Sequence, residues 1–235
     1  MPEPAQRPLD IVLRQHARFD TFVSSEDSEL VALLKDLGQR IKEPRLYFLW
    51  GSAQSGKSHL LQAVCNRLAR SDQKAVYLPM REFAVQESGL LNDMQVLDVV
   101  CIDDIDRVSG DRDWEQALFR IINEMWLGNQ SLVISASCKP ADLDILLPDL
   151  ASRLAGGLTY RLPSLSDEQK RTAIQRHAAA RGLEVSGEVC NYLLSRYPRE
   201  LKKLIELLDQ LDQYSLALQR KITVPFVRSV LEGGA

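Results

Sequence analysis

The chain has 235 residues, of which 45% are hydrophobic and 26% are charged, a balance that excludes a mainly disordered protein. Its 29 basic and 32 acidic residues give a formal net charge of −3, which disfavours binding of a long nucleic acid through the overall electrostatic field. The amino terminus lacks the pattern of a signal peptide, and no apolar run approaches the roughly 18 residues of a membrane span. The four cysteines form no closely spaced pair, which indicates reduced thiols. We therefore expect a cytoplasmic protein without a membrane partner.

In chain order, residues 1–18 contain three prolines and are predicted to form a tail without regular structure. Apolar side chains at helical spacing predict a helix over 30–41. Helical patterns also begin at Ser58 and cover 114–127. Apolar runs predict five strands, at 46–50, 75–78, 97–102, 131–135 and 158–162. This alternation predicts an α/β fold, with a parallel sheet covered by helices on both faces.

The carboxy-terminal third is predicted to be all helical. Ser166 and Gln169 have the spacing of a capping box, and two further helices are expected over 186–196 and from about Pro198. We place a boundary near residue 163, which divides the chain into the tail, 1–18, an α/β domain, 19–162, and a helical domain, 163–235.

A phosphate-binding motif follows the first predicted strand and is the strongest chemical signal in the chain. It has the form G-x4-G-K-[ST] and comprises Gly51, Ser52, Ala53, Gln54, Ser55, Gly56, Lys57 and Ser58. Backbone amides bent inward by the glycines can wrap a β-phosphate, while Lys57 adds a charge near the β- and γ-phosphates. The hydroxyl of Ser58 can ligate Mg²⁺, and the following helix adds its own amides and positive dipole end. The motif therefore predicts a P-loop.

Two adjacent acids end the third predicted strand. Asp103 and Asp104 come directly after four apolar residues. A P-loop site needs a carboxylate at the end of a neighbouring strand to hold Mg²⁺ through its water shell, and Asp103 fits that role. We expect Asp104 to polarise the attacking water if the site is active.

These segments resemble the AAA+ ATPases of the DnaA/Hda family. The resemblance lies in residues 19–22, 51–58, 99–104, 114–123, 133–137, 150–158 and 199–201, and it extends from Phe19 to about 231. One departure is the second acid, which is Asp104 here. The resemblance implies an AAA+ P-loop core with a five-stranded parallel sheet, a small carboxy-terminal helical lid, and a site for ADP or ATP with Mg²⁺.

The resemblance also implies roles for three residues outside the P-loop. Ser137 would stand at the sensor 1 position beside the γ-phosphate. Arg199 would reach from the lid onto the bound nucleotide as sensor 2. Arg153 would be an arginine finger, which projects onto the γ-phosphate held by a neighbouring subunit and neutralises charge that develops during phosphoryl transfer.

Regulators of this family open with a short peptide that binds the β subunit of DNA polymerase, the replication sliding clamp. Residues 6–11 correspond to that peptide, and Gln6, Leu9 and Ile11 have the expected types at the expected spacing. We expect the ATPase module to stand without the initiator's DNA-binding and helicase-binding domains. The resemblance implies a regulator of DNA replication initiation that acts with the DNA-loaded clamp. It would stimulate hydrolysis of DnaA-bound ATP, supply Arg153 in trans, and have weak or absent ATPase activity of its own.

Two other functions stay open from the residues alone. Lys57, Asp103 and Asp104 permit a self-assembling P-loop ATPase of the helicase-loader type. A finger together with a nucleotide pocket forms a heterologous interface, which permits homo-oligomers. Four lid cations permit a local DNA-binding patch, although the leading interpretation expects no strong direct DNA binding; they are Arg196, Arg199, Lys202 and Lys203.

Overall fold

A computed structural model describes residues 13, 16–23, 28–38, 45–84, 88–92, 94–128, 130–231 and 233. The predicted clamp-binding residues Gln6, Leu9 and Ile11 lie outside these ranges. Within them, no helix combines the length and the apolar character needed to cross a lipid bilayer.

A parallel sheet forms the centre of the amino-terminal part, and the described residues contribute five strands to it. The strands are β1 (Arg45–Trp50), β2 (Ala75–Pro79), β3 (Val99–Asp103), β4 (Ser131–Ala136) and β5 (Leu158–Arg161). Their order is β2-β3-β4-β1-β5, and all neighbouring pairs are parallel. The predicted α/β fold with a five-stranded parallel sheet is confirmed. Because the strands are parallel, the carboxyl ends of β1, β3 and β4 meet at one edge, where ligands bind in open α/β sheets.

Helices cover both faces of this sheet. They are α1 (Ser28–Asp36), α2 (Lys57–Leu68), α3 (Met80–Phe83), α4 (Arg112–Leu127) and α5 (Pro148–Ala155). Side chains of β1 alternate between the two layers. Tyr47 and Leu49 pack with α1 and α2, whereas Phe48 packs with α4 and α5. The helix predicted over 30–41 was placed too far along the chain, because Gly38 follows it with a left-handed φ of 77°.

The carboxy-terminal part is helical and has an apolar core of its own. Its helices in the described ranges are α6 (Asp167–Ala179), α7 (Gly187–Arg196), α8 (Leu201–Leu218) and α9 (Val224–Leu231). The capping box forms, since Ser166 Oγ accepts from the amide of Gln169 (3.2 Å) and Gln169 Oε1 accepts from the amide of Ser166 (2.8 Å). The sequence analysis missed α9. Pro225 lies in the first turn of this helix, where a missing amide costs the helix nothing.

The helical part contacts both the P-loop and the segment that precedes α1. Arg176 Nη1 donates to the carbonyl oxygen of Phe22 (2.6 Å). The hydroxyls of Ser52 and Ser164 are 2.7 Å apart. These contacts bring the lid helices to the same edge of the sheet as the P-loop.

Candidate nucleotide-binding site

Two glycines shape the loop between β1 and α2. A Cβ atom on Gly51 would overlap the carbonyl oxygen of Leu162. Gly56 has a φ of 97°, in the region that favours glycine, and a Cβ there would lie 2.7 Å from Cε2 of Phe22. The backbone therefore follows the tight path that a phosphate-binding loop requires.

Two further observations fit the binding of a phosphate group. The Oγ atom of Ser55 is buried and has no hydrogen-bond partner among the described residues. α2 begins directly after Gly56, and this N-cap residue has no side chain to cap the amides of the first turn. Uncapped amides and the positive end of a helix dipole attract anions. The loop thus offers donors that its surroundings do not satisfy.

Lys57 turns its side chain toward the loop. Its Nζ donates hydrogen bonds to the carbonyl oxygens of Gly51 (2.8 Å) and Ser52 (2.9 Å). Burial lowers the pKa of Lys57, while the carboxylates of Asp104 and Asp103 oppose that shift. A phosphate in the loop would compete with the two carbonyl groups for this ammonium group.

The other predicted loop residues are more accessible. Ser52, Ala53 and Gln54 are exposed, and Ser58 is partly exposed at the second position of α2. The two predicted Mg²⁺-binding residues, Ser58 and Asp103, lie on adjacent elements, and α2 packs against β3. The structure gives no hydrogen bond between these two described side chains.

Asp103 is fixed by hydroxyl groups from both neighbouring strands. Tyr77 on β2 donates to Asp103 Oδ2 (2.6 Å), and Ser135 on β4 donates to Asp103 Oδ1. Ser135 Oγ also accepts from the amide of Asp104 (2.9 Å). Burial and the adjacent Asp103 raise the pKa of Tyr77 above its usual range, so the phenol keeps its proton and acts as a donor. The carboxylate is therefore held in place at the edge of the sheet.

Asp104 is held by a cation. It has a left-handed backbone, with φ 57° and ψ 53°, and its Oδ2 accepts from Arg81 Nε on α3. The side chain of Asp104 is 12% exposed, whereas that of Arg81 is 59% exposed. Burial and the neighbouring Asp103 raise the pKa of Asp104, although Arg81 opposes this shift. In this arrangement the carboxylate that would polarise water is engaged by a guanidinium group.

Ser137, the predicted sensor 1 residue, is held by a third acid. Its amide donates to Asp106 Oδ1 (3.1 Å) and its hydroxyl donates to Asp106 Oδ2 (3.2 Å). Asp106 lies two residues after Asp104, so the structure connects the segment after β4 with the segment after β3.

Arg199, the predicted sensor 2 residue, lies two residues before the first residue of α8. Its Nη1 is 3.4 Å from Oδ2 of Asp167, the first residue of α6. Ser164, which contacts the P-loop, precedes Asp167 by three positions. Arg199 is thus connected to the part of the lid nearest the P-loop, although no hydrogen bond joins it to a described P-loop residue.

Two of the four lid cations that could form a DNA-binding patch have acidic partners. Arg199 pairs with Asp167, and Lys203 Nζ is 3.5 Å from Glu200 Oε1. The local positive field of this surface is correspondingly reduced.

Arg153, the predicted finger, lies apart from these residues. It is exposed in the last turn of α5, a helix of the opposite face of the sheet from α2. It forms no hydrogen bond or ion pair with any residue that the structure describes. The structure therefore brings together the P-loop and the acid pair, and leaves Arg153 on the surface.

Sequence reasoning missed the residues that hold the acids and the sensor. They are Tyr77, Arg81, Asp106 and Ser135. A signal existed for Ser135, a polar residue within an apolar strand run. Arg81 gave no signal, because its role depends on β2 being the neighbour of β3.

Residues 13–161 match the family model of the bacterial DnaA ATPase domain, and residues 167–231 match that of the Hda lid domain. Domain III of the Thermotoga maritima replication initiation protein DnaA is 22% identical, with a TM-score of 0.73, over 94% of this chain and 98% of that chain. AMPPCP-bound DnaA from Aquifex aeolicus is 23% identical, with a TM-score of 0.67, over 84% of this chain and 66% of that chain. This chain thus spans just under two thirds of the Aquifex protein.

A third solved structure is the Thermotoga maritima RuvB Holliday junction branch migration motor. It is 18% identical, with a TM-score of 0.63, over 94% of this chain and 73% of that chain. These three proteins share the fold of this chain. The match to the DnaA ATPase domain covers well over half of the sequence. The chain therefore belongs to the DnaA/Hda family of AAA+ proteins.

Proposed function

We propose that this protein is a nucleotide-bound AAA+ regulator of DNA replication initiation. With the DNA-loaded sliding clamp, it would stimulate hydrolysis of the ATP held by the initiator DnaA and so inactivate that initiator. The observation that carries the proposal is the state of Arg153, an exposed arginine without a partner among the described residues. Such a side chain is free to enter the nucleotide site of a neighbouring AAA+ protein.

The proposed ligand of the protein's own P-loop is ADP or ATP with Mg²⁺. The unsatisfied Ser55 hydroxyl and the uncapped start of α2 support this assignment. The AMPPCP found in a related DnaA supports it further. The residues that would hold the phosphates are Gly51, Ser52, Ala53, Gln54, Ser55, Gly56 and Lys57, with Ser137 and Arg199 beside them. Ser58 and Asp103 would hold Mg²⁺, which supplies charge neutralisation at the phosphates.

The hydrolytic chemistry would take place on DnaA. In this chain Asp104 is engaged by Arg81, which reduces its ability to accept a proton from water or to orient it. Arg153 would instead neutralise charge at the γ-phosphate of the partner. An arginine finger contributes on the order of 10³–10⁵ in rate where it has been measured.

The proposal includes a division of the chain into domains and a tail that attaches the protein to the clamp. Residues 19–162 would form the nucleotide-binding domain and residues 163–235 the lid domain, after a tail over 1–18. Gln6, Leu9 and Ile11 would bind the clamp, because a glutamine amide and two aliphatic side chains can enter a preformed pocket.

The test is single-turnover hydrolysis of ATP bound to DnaA, with DNA-loaded clamp present. Wild type should accelerate hydrolysis, whereas Arg153→Ala and Gln6→Ala should not. Arg70→Ala, which removes another exposed arginine, is the matched control and should retain the acceleration. Equal acceleration by wild type and Arg153→Ala would refute the trans mechanism.

A second candidate is a self-assembling ATPase that hydrolyses its own nucleotide. It is favoured by the closeness of Lys57 to both acids, whose charges oppose the lowering of the lysine pKa by burial. Steady-state turnover by the pure protein, abolished in Asp104→Asn, would support this candidate. Turnover at background level would exclude it.

A further inference from the structure

Glu115 is a carboxyl group in the interior of the α/β part with no use in the site described above. It lies in the first turn of α4 and is 0% exposed. It forms no ion pair with any cation that the structure describes. A buried carboxylate without a cation requires other donors, because its loss of hydration is costly.

Three backbone amides supply those donors. Glu115 Oε1 accepts from the amides of Gly110 (2.9 Å) and Leu146 (3.0 Å), and Oε2 accepts from the amide of Leu147 (2.7 Å). The position of the carboxylate near the positive end of α4 adds to its stabilisation. One side chain thus joins two segments that are more than thirty residues apart.

The first of these segments comes directly from the acid pair. It runs from Asp104 through Asp106, which holds Ser137, to Gly110. Gly110 has a φ of 84°, in the left-handed region, and so marks a tight turn before α4. Glu115 binds the amide at the end of this segment.

The second segment begins the helix that carries Arg153. Leu147 is the cap residue of α5 and offers no side-chain acceptor, and Pro148 has no amide to donate. The two amides before Pro148 are both bound by Glu115. The start of α5 is therefore fixed from outside the helix, by a residue of α4.

The rest of α5 is fixed by two leucines. Leu150 and Leu154 are 0% exposed in the core beside α4, and they determine which side of the helix faces solvent. α5 has 8 residues and is therefore about 12 Å long. Because the helix is this short, a shift of its start would also move Arg153 in its last turn. Misplacement of a catalytic group by about 1 Å can reduce a rate on the order of 100-fold.

We propose that Glu115 is a positioning residue for the arginine finger, which it fixes relative to the segment that follows the acid pair. The inference rests on the proposed function, since Arg153 matters here as a finger that acts in trans. Glu115 does not touch the nucleotide. It acts through the two amides that precede α5.

The first test compares Glu115→Gln with wild type in single-turnover hydrolysis of DnaA-bound ATP. The amide nitrogen of glutamine cannot accept from a backbone amide, so at least one of the three hydrogen bonds is lost. We expect the maximal rate to fall at least tenfold, while the protein concentration that gives half of that rate changes less than threefold. A variant that was only partly folded would instead shift the half-maximal concentration. Glu124→Gln, a partly exposed glutamate of the same helix, is the matched control and should behave as wild type.

The second test is amide hydrogen exchange of the isolated protein, read by nuclear magnetic resonance. The amides of Leu146 and Leu147 should be protected in wild type, although they lie outside a helix or strand. In Glu115→Gln they should exchange at least tenfold faster, while the amides of β4 keep their protection. If Glu115→Gln does not fold, Glu115→Asp replaces it in both tests, because it retains the carboxylate and withdraws it by one methylene group.

The outcomes separate this inference from the proposed function. If wild type does not stimulate DnaA, the proposed function fails. The role of Glu115 toward a finger then fails with it, even if the amides of Leu146 and Leu147 are protected from exchange. If wild type stimulates DnaA and Glu115→Gln reaches the same maximal rate, only the role of Glu115 is refuted. Rapid exchange of both leucine amides in wild type would show that Glu115 does not hold the start of α5.

Discussion

The acid pair of this protein and Arg153, the proposed finger, are held in opposite ways. Asp103 and Asp104 are 2% and 9% exposed, and both accept hydrogen bonds from neighbouring side chains. Arg153 is exposed and has no side-chain partner in the part of the chain that the structure describes. A carboxylate that activates water must be free of a competing cation, whereas a finger needs an accessible cation. The contrast agrees with the proposal that the protein holds its own nucleotide and acts on that of a neighbour.

The strongest test of the contrast between the nucleotide site and Arg153 is to remove Lys57, the cation of the P-loop. We expect Lys57→Ala to weaken ADP binding on the order of 100-fold, because a charge-assisted hydrogen bond to phosphate is lost. Arg153→Ala should change the affinity less than twofold. Isothermal titration calorimetry measures both, with Lys74→Ala as an exposed control. An equal loss in Lys57→Ala and Arg153→Ala would contradict the division between the two regions.

The lid also contacts α2 through His177. The ring of His177 lies edge-on to that of His59, and the two ring centroids are 5.6 Å apart. Burial, followed by the charges of His59, Arg181 and His16, lowers the pKa of His177 to about 3 from 6.5. His177 is thus neutral in the folded protein, whereas in the unfolded chain its imidazole takes up a proton near pH 6.5. The free energy of unfolding therefore has its full value above pH 6.5. It falls as the pH decreases toward 3, because only the unfolded chain protonates His177 in this range.

We therefore expect the free energy of unfolding to fall by about 1.4 kcal/mol per pH unit below pH 6.5 through His177 alone. Urea titrations between pH 7 and pH 4.5 measure this dependence. His177→Leu should show a correspondingly shallower slope. An unchanged slope would mean that the buried histidine does not govern the acid sensitivity of the lid contact.

The engaged state of Asp104 is tested by releasing it. Arg81→Ala should raise the steady-state ATP turnover of the pure protein about tenfold, since the loss of an ion pair worth roughly 1.4 kcal/mol frees the carboxylate. Glu82→Ala, on the same short helix, is the control and should not change turnover. If Arg81→Ala turns over no faster than wild type, the ion pair does not limit the site.

The smallest expected effect concerns the hydroxyl group that holds Asp103. Tyr77→Phe removes one donor from a buried carboxylate and should lower the free energy of unfolding by about 1–2 kcal/mol. Urea unfolding measures the loss, and Tyr214→Phe, whose residue is 51% exposed, should leave stability unchanged. Equal stability of Tyr77→Phe and wild type would mean that Ser135 alone suffices to hold Asp103.

The sequence predicted those parts of the site that are contiguous in the chain. The P-loop is one run of residues, and the acid pair is the end of one apolar run, so local pattern was enough for both. The partners of the acids were not predictable in this way. Arg81 reaches Asp104, and Glu115 reaches Leu147, only because of the strand order and the packing of α4 on α5. A single sequence gives neither the order of strands nor their register.

The backbone of Asp104 has a consequence for the length of the acid. Its φ of 57° lies in a region that aspartate and asparagine adopt more readily than longer side chains do. The short acid at this position thus goes with a backbone turn that suits it. A longer acid would gain reach of one methylene group and lose part of this conformational preference. Asparagine keeps the same preference, which makes Asp104→Asn a substitution that removes charge without disturbing the turn.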